Sequence, residues 1–167
     1  PPYILGALHV FEKNGPTWVG ATEVAVIRGV AGFQALGHSV AIDGDTIVSG
    51  SVQTTPELVG GQAGGAAAVY VKPPGGWTDM PPTAVLTASD YSLVGTSGDF
   101  ANAVAIDGDT IVVGAFLFGP NQQGGAYVYE KPLGGWATGT ETGKLTAAVP
   151  IFGERLGSSV AVSGDVI

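Results

Sequence analysis

The eleven residues "AIDGDTIVVGA" (Ala105–Ala115) restate "AIDGDTIVSGS" (Ala41–Ser51) at a distance of 64 residues, and "AVSGDVI" (Ala161–Ile167) begins a third version. A second marker runs in step with the first. Trp18, Trp77 and Trp136 stand 59 residues apart, each closing a related segment: "VFEKNGPTW", "VYVKPPGGW" and "VYEKPLGGW". Nine residues beyond each Trp comes an apolar anchor, Ile27, Leu86 or Leu145. A period of about 60 residues in which both markers recur constrains the chain to a tandem-repeat architecture.

Each unit reads as four short strands. Strand one is "HSVAI", "NAVAI" or "SSVAV"; strand two is "DTIVSG" or "DTIVVGA"; strand three is "GAAAVYVK" or "GGAYVYEK". These runs carry the β-branched and aromatic residues that fit a pleated surface. The Asp-Gly between strands one and two suits a two-residue type I′ hairpin. The "KPPGGW" and "KPLGGW" segments reverse the chain by Pro/Gly chemistry, and strand four is expected to begin near the Trp and end in "LTA". Runs such as Ile111-Val112-Val113 do not alternate, which predicts cover on both faces of the sheet. The fold class is therefore all-β, built of four-stranded antiparallel β-propeller blades. The units fall at approximately 1–29, 30–88, 89–148 and 149–167, about three blades' worth of strands in one domain. That count, and a start at Pro1-Pro2, predict a segment of a larger propeller. An alternative reading pairs the last strands with the first to complete a blade, within one ring or between chains.

Composition supports folding and excludes some partners. The chain has 28 Gly and 11 Pro, yet 45% of its residues are hydrophobic, enough apolar burial to offset the ordering of a 167-residue chain. A net charge of −8 with only six Lys plus Arg is poorly suited to nucleic acid or anionic membranes. No apolar run approaches a membrane span. The absence of Cys removes disulfides, thiolate metal sites and Cys nucleophiles.

The chain resembles the FG-GAP repeats known from the propeller of integrin α chains. In that pattern an FG pair precedes "SVA" and a "VGAP"-like end closes the second strand. Here Leu36-Gly37, Phe100-Ala101 and Leu156-Gly157 stand at the first place, and Gly50-Ser51 and Gly114-Ala115 at the second. Gly37 to Gly50 and Ala101 to Gly114 both span 13 residues. The resemblance implies blades and a non-enzymatic role in recognition or adhesion, extracellular or on a cell surface. In calcium-binding members the loop between strands one and two is a longer, Asp/Asn-rich run. Asp43-Gly44-Asp45 and Asp107-Gly108-Asp109 occupy that place on a hairpin too short to wrap an ion that needs six to eight oxygens. The expectation is turn formation, with no metal and no cofactor.

Other candidates have plain structural readings. The three Trp residues are expected to pack against the next blade rather than stack on sugars. His9 and His38 do not recur between units, and neither stands near a repeated Ser or acid. Asp90, Asp99 and Glu154 lie in variable loops as solvated acids, with a carboxylate pair for glycoside hydrolysis as the alternative. "GGQAGG" (Gly60–Gly65) lacks the Lys of a phosphate loop and reads as a connection.

Strand direction places the two-to-three and four-to-one connections on one edge, and these are the long, variable ones, where rigid scaffolds carry function. The candidate ligand-binding residues are Asp90, Tyr91 and Asp99 in one connection, and Phe116, Phe118, Asn121, Gln122 and Gln123 in another. The expected partner is a protein or a carbohydrate, with further copies of the chain, or the rest of a longer one, at exposed strand edges. A structural subunit of an extracellular assembly or filament is the alternative function. A hydrolase or lyase with its site on the long-loop face is the third.

Overall fold

The computed structural model describes residues 5–30, 32–54, 64–90 and 100–167. The described residues form strands and turns, with no helix. β1 (Ala7–Glu12) and β2 (Thr22–Arg28) make an antiparallel pair. A short β3 (Phe33–Gln34) leads into the first complete unit: β4 (Ser39–Asp43), β5 (Thr46–Thr54), β6 (Gly64–Val71) and β7 (Ala84–Thr87), each antiparallel to the one before. The second unit repeats this with β8 (Phe100–Asp107), β9 (Thr110–Ala115), β10 (Gly125–Glu130) and β12 (Gly143–Leu145). Between β10 and β12, β11 (Gly139–Thr140) reaches back to pair in parallel with β7 of the preceding unit. These are blades of the propeller kind, laid face to face.

The hydrophobic core is two junctions. One lies between the β1–β2 pair and the first full sheet and holds Leu8, Val10, Ile27, Ala66, Ala68 and Tyr70. The other lies between the two full sheets and holds Ala67, Val69, Val104, Ile111, Val113 and Tyr127. β6 feeds both junctions: Ala66, Ala68 and Tyr70 face one, and Ala67 and Val69 the other, the two-residue period of a strand covered on both faces. Ile111, Val112 and Val113 are all fully buried, as their unbroken apolar run requires.

Backbone-to-backbone approach closes the junctions. The carbonyl of Phe100 sits over Gly65, and that of Ala101 over Gly50. A Cβ on either glycine would lie 1.8 or 2.0 Å from the oxygen. Leu156 over Gly124 and Gly157 over Gly114 repeat the pair of contacts one unit on. The FG-type dipeptide of each unit thus inserts into the sheet before it. Its second residue is held at positive φ: 89° at Gly37, 67° at Ala101 and 86° at Gly157.

Four sequence expectations change. The hairpin turns centre on Gly-Asp, not Asp-Gly: Asp43 pairs with Thr46 across Gly44-Asp45, and Asp107 with Thr110 across Gly108-Asp109. Only the glycines take positive φ, 51° and 55°, which is the II′ pattern with Gly first. Strand four starts at Ala84 or Gly143, seven residues beyond its Trp, not beside it. In the first full unit Pro81 and Pro82 deny that stretch ladder donors just before β7. "SSVAV" near the third turn forms no ladder, and only the Ser163–Val166 pair closes there. Finally, Trp77 and Trp136 are buried in the junction with the preceding unit, not the next, while Trp18 is 63% exposed.

Candidate functional site

The edge that carries the long connections is organised by two adjoining assemblies. Phe118, on the link from β9 to β10, meets the Tyr127 ring edge-on at 6.2 Å, and Phe100 meets the same ring at 5.3 Å. The Lys144 ammonium lies 3.2 Å from the Phe118 centroid and 4.8 Å from that of Tyr127, and it pairs with the Asp90 carboxylate. The Tyr127 hydroxyl donates to the other Asp90 oxygen at 2.8 Å. Burial first, and then the Asp90 bond and charge, hold the Tyr127 phenol well above its ordinary pKa. Beside it, the Ser89 amide and hydroxyl donate to Glu141 at 2.9 and 2.6 Å. The segment leaving β7 is thereby fastened to the next unit's sheet.

The second assembly joins two loops. The carbonyls of Asn121, Gln122 and Gln123 accept from the amides of Gly153, Arg155 and Leu156 at 2.9, 3.3 and 2.9 Å. The Asn121 amide donates to Gln123 Oε1 at 3.1 Å. Arg155 stacks over Phe116 at 5.9 Å. A β-turn at Ile151–Glu154, closed by a 3.2 Å bond and centred on Phe152-Gly153, takes Gly153 at φ 71°. The Glu154 carboxylate accepts the Ile151 amide at 3.3 Å. This turn holds Val149, Ile151 and Phe152 out at 75, 62 and 77% exposure.

The structure therefore brings Asp90 and Phe118 together, through Lys144 and Tyr127. Sequence reading missed both of those residues because neither has a counterpart: their places in the first unit hold Val85 and Ala68. Phe116, Asn121, Gln122 and Gln123 gather in the neighbouring assembly, with Asn121 and Gln122 exposed. Tyr91 and Asp99 lie outside the described residues. The apolar tip at 149–152 was also missed, although "AVPIFG" shows three large apolar residues in a loop.

The opposite, tight-turn edge explains the repeated Asp-Gly-Asp. Asp43 accepts the Gly108 amide of the next unit at 2.8 Å, and Asp107 accepts that of Gly164 at 2.6 Å. The second acid works within its own unit: the Asp109 carboxylate pairs with Lys131, whose amide donates to the Asp109 carbonyl at 2.8 Å. These residues do not fit a calcium site, since a two-residue turn cannot wrap the ion and the first carboxylate is spent on the neighbouring turn. Treatment with a chelator should leave Tm unchanged; a fall that calcium reverses would establish a metal here. Asp107→Ala should cost about 1 kcal/mol or less, because it removes the bond to the exposed Gly164 amide and leaves that amide to water, read by chemical denaturation.

Tandem four-stranded antiparallel units joined by close backbone contacts define a propeller-blade repeat protein. Residues 81–129, from just before β7 to β10, match the FG-GAP repeat family. The motifs within that match recur in the units on either side. No curated protein matches the chain.

Proposed function

We propose that this protein is a non-enzymatic recognition module, of an extracellular or cell-surface protein, that binds a protein or glycan through its long-loop edge. The observation that carries this reading is the strapping of two loops into one platform by three backbone hydrogen bonds between 121–123 and 153–156. A platform set in advance loses little freedom on binding, and its exposed aromatic tip and amides are groups on which interface energy concentrates. The two groups serve different ligands: Phe152 and Ile151 anchor in an apolar protein pocket, while Asn121 and Gln122 suit hydroxyls.

Arrays of glycans and of extracellular proteins, probed with the wild-type chain, supply the ligand. Phe152→Ala is then expected to weaken a protein ligand, and Asn121→Ala a glycan ligand, about tenfold or more at unchanged Tm. Binding that survives both changes and is lost on substitution in the tight turns would overturn the choice of edge.

A further inference from the structure

A cavity beside the strap β11 is not used by the long-loop edge. Between β10 and β12 the chain leaves its own sheet and pairs Gly139 with Leu86 and Thr140 with Thr87. Here lies a cavity of about 160 Å³, whose lining includes Leu86, Tyr129, Glu130, Trp136, Thr138 and Thr140. Trp136 is 7% exposed, and its buried indole N–H has no hydrogen-bond partner among the described residues. A buried donor without an acceptor is costly, and native structures satisfy nearly all of them. The cavity is several times the roughly 30 Å³ that one water occupies.

The preceding unit closes the same place. Residues 77–88 and 136–147 align without a gap, Trp on Trp, and Met80 stands where the later unit has Gly139. Met80 packs against the cluster that holds Ile27, Tyr70 and Trp77, the counterparts of Leu86, Tyr129 and Trp136. Arg28 and Asp79 form an ion pair at 3.0 Å across that junction, and their counterparts are Thr87 and Thr138. The later unit therefore has no side chain in place of the methionine, and hydroxyls in place of the ion pair. Packing does not force this, since a Cβ at Gly139 would meet nothing within 4 Å.

We infer that this cavity is a binding site for a single pyranose residue. The indole N–H requires an acceptor, the Glu130 carboxylate a donor, and the Thr140 hydroxyl takes either. Leu86 and Tyr129 border the same space with carbon. A sugar ring supplies hydroxyls that donate and accept on a compact carbon frame, so one residue meets all of these demands. A hydrocarbon would leave the indole N–H unsatisfied, and an anion would meet Glu130. None of the lining residues belongs to the two long-loop assemblies, so the site stands apart from the function proposed above.

The test is a titration of the ¹⁵N-labelled whole chain, followed through the indole N–H signals of Trp18, Trp77 and Trp136. Trp18→Phe and Trp136→Phe assign them. The probes are the methyl glycosides of glucose, galactose, mannose and N-acetylglucosamine, with sorbitol as the open-chain control. At least one glycoside should move the Trp136 signal saturably and leave that of Trp18 in place. Gly139→Met, which gives this unit the side chain its neighbour has, should abolish the shift without lowering Tm. Glu130→Ala should weaken the glycoside about tenfold, the worth of a hydrogen bond to a charged group. Phe152→Ala and Asn121→Ala should leave it unaltered, which separates this site from the long-loop edge. The inference is overturned if no glycoside moves the Trp136 signal, or if sorbitol moves it as well. It is equally overturned by a shift that survives Gly139→Met or is indifferent to Glu130→Ala.

Discussion

Gly65→Ala should lower stability by about 3 kcal/mol or more, the upper range for overpacking, because the new methyl group would meet backbone rather than a side chain able to turn away. Its Cβ would lie 1.8 Å from the Phe100 carbonyl oxygen and 3.0 Å from that of Ser51. Both oxygens belong to strand backbone, so relief requires sliding one sheet across the other and opening the junction that holds Val69, Val113 and Tyr127. For a chain of this size the loss corresponds to roughly 6–12 °C in Tm. Gly134→Ala is the control. It lies in the "KPLGGW" turn with nothing within 4 Å of its Cβ position, and should move stability by no more than about 0.5 kcal/mol. Equal effects from the two substitutions, measured by thermal and denaturant melts, would refute the contact.

Alkaline pH should unfold the protein through its buried tyrosines. Tyr70 is 1% exposed, and burial, with a smaller contribution from the Asp79 charge, pushes its pKa from 10.0 up to about 12. The unfolded chain loses this proton from pH 10 upward while the folded chain keeps it. Stability therefore falls as pH rises through that window, with a slope of at most about 1.4 kcal/mol per pH unit and a loss of roughly 2 kcal/mol by pH 12. Tyr127, also raised, steepens the same slope. Below pH 10 neither group contributes any pH dependence. Tyr70→Phe should flatten the decline between pH 10 and 12. A Tm that stays constant across the window, or a slope untouched by that substitution, would contradict the assignment.

Much of this fold was legible because the repeat states it twice. Strand positions follow from β-branched runs in register, and burial on both faces follows from Ile111-Val112-Val113. The FG-type dipeptides were visible as a pattern, but their cause was not. Gly65 and Gly50 look like ordinary strand glycines until a carbonyl from 35 or 51 residues later is placed on them. The hairpin was misread by one residue for a similar reason. Asp-Gly is a familiar local turn signal, whereas Asp43 is committed to Gly108, a partner that no local rule contains. The candidate site was half legible. Loop length pointed to Asp90 and Phe118, but Lys144 and Tyr127 stand in strands, where the equivalent places hold Val26 and Val85, and His9 and Ala68. A single cation among aromatics leaves no periodic trace.

The overlap at each junction has a consequence for modularity. The stretch Phe100-Ala101 begins one sheet yet lies on glycines of the sheet before it, as shingles lap the course below. A cut made at the visible gap between sheets would tear the lap and strip both neighbours of part of their seal. The piece that can be lifted out, duplicated or exchanged cleanly runs from just after one such dipeptide through the next. Exchange of that kind keeps every lap intact and carries its long loops along as a cassette.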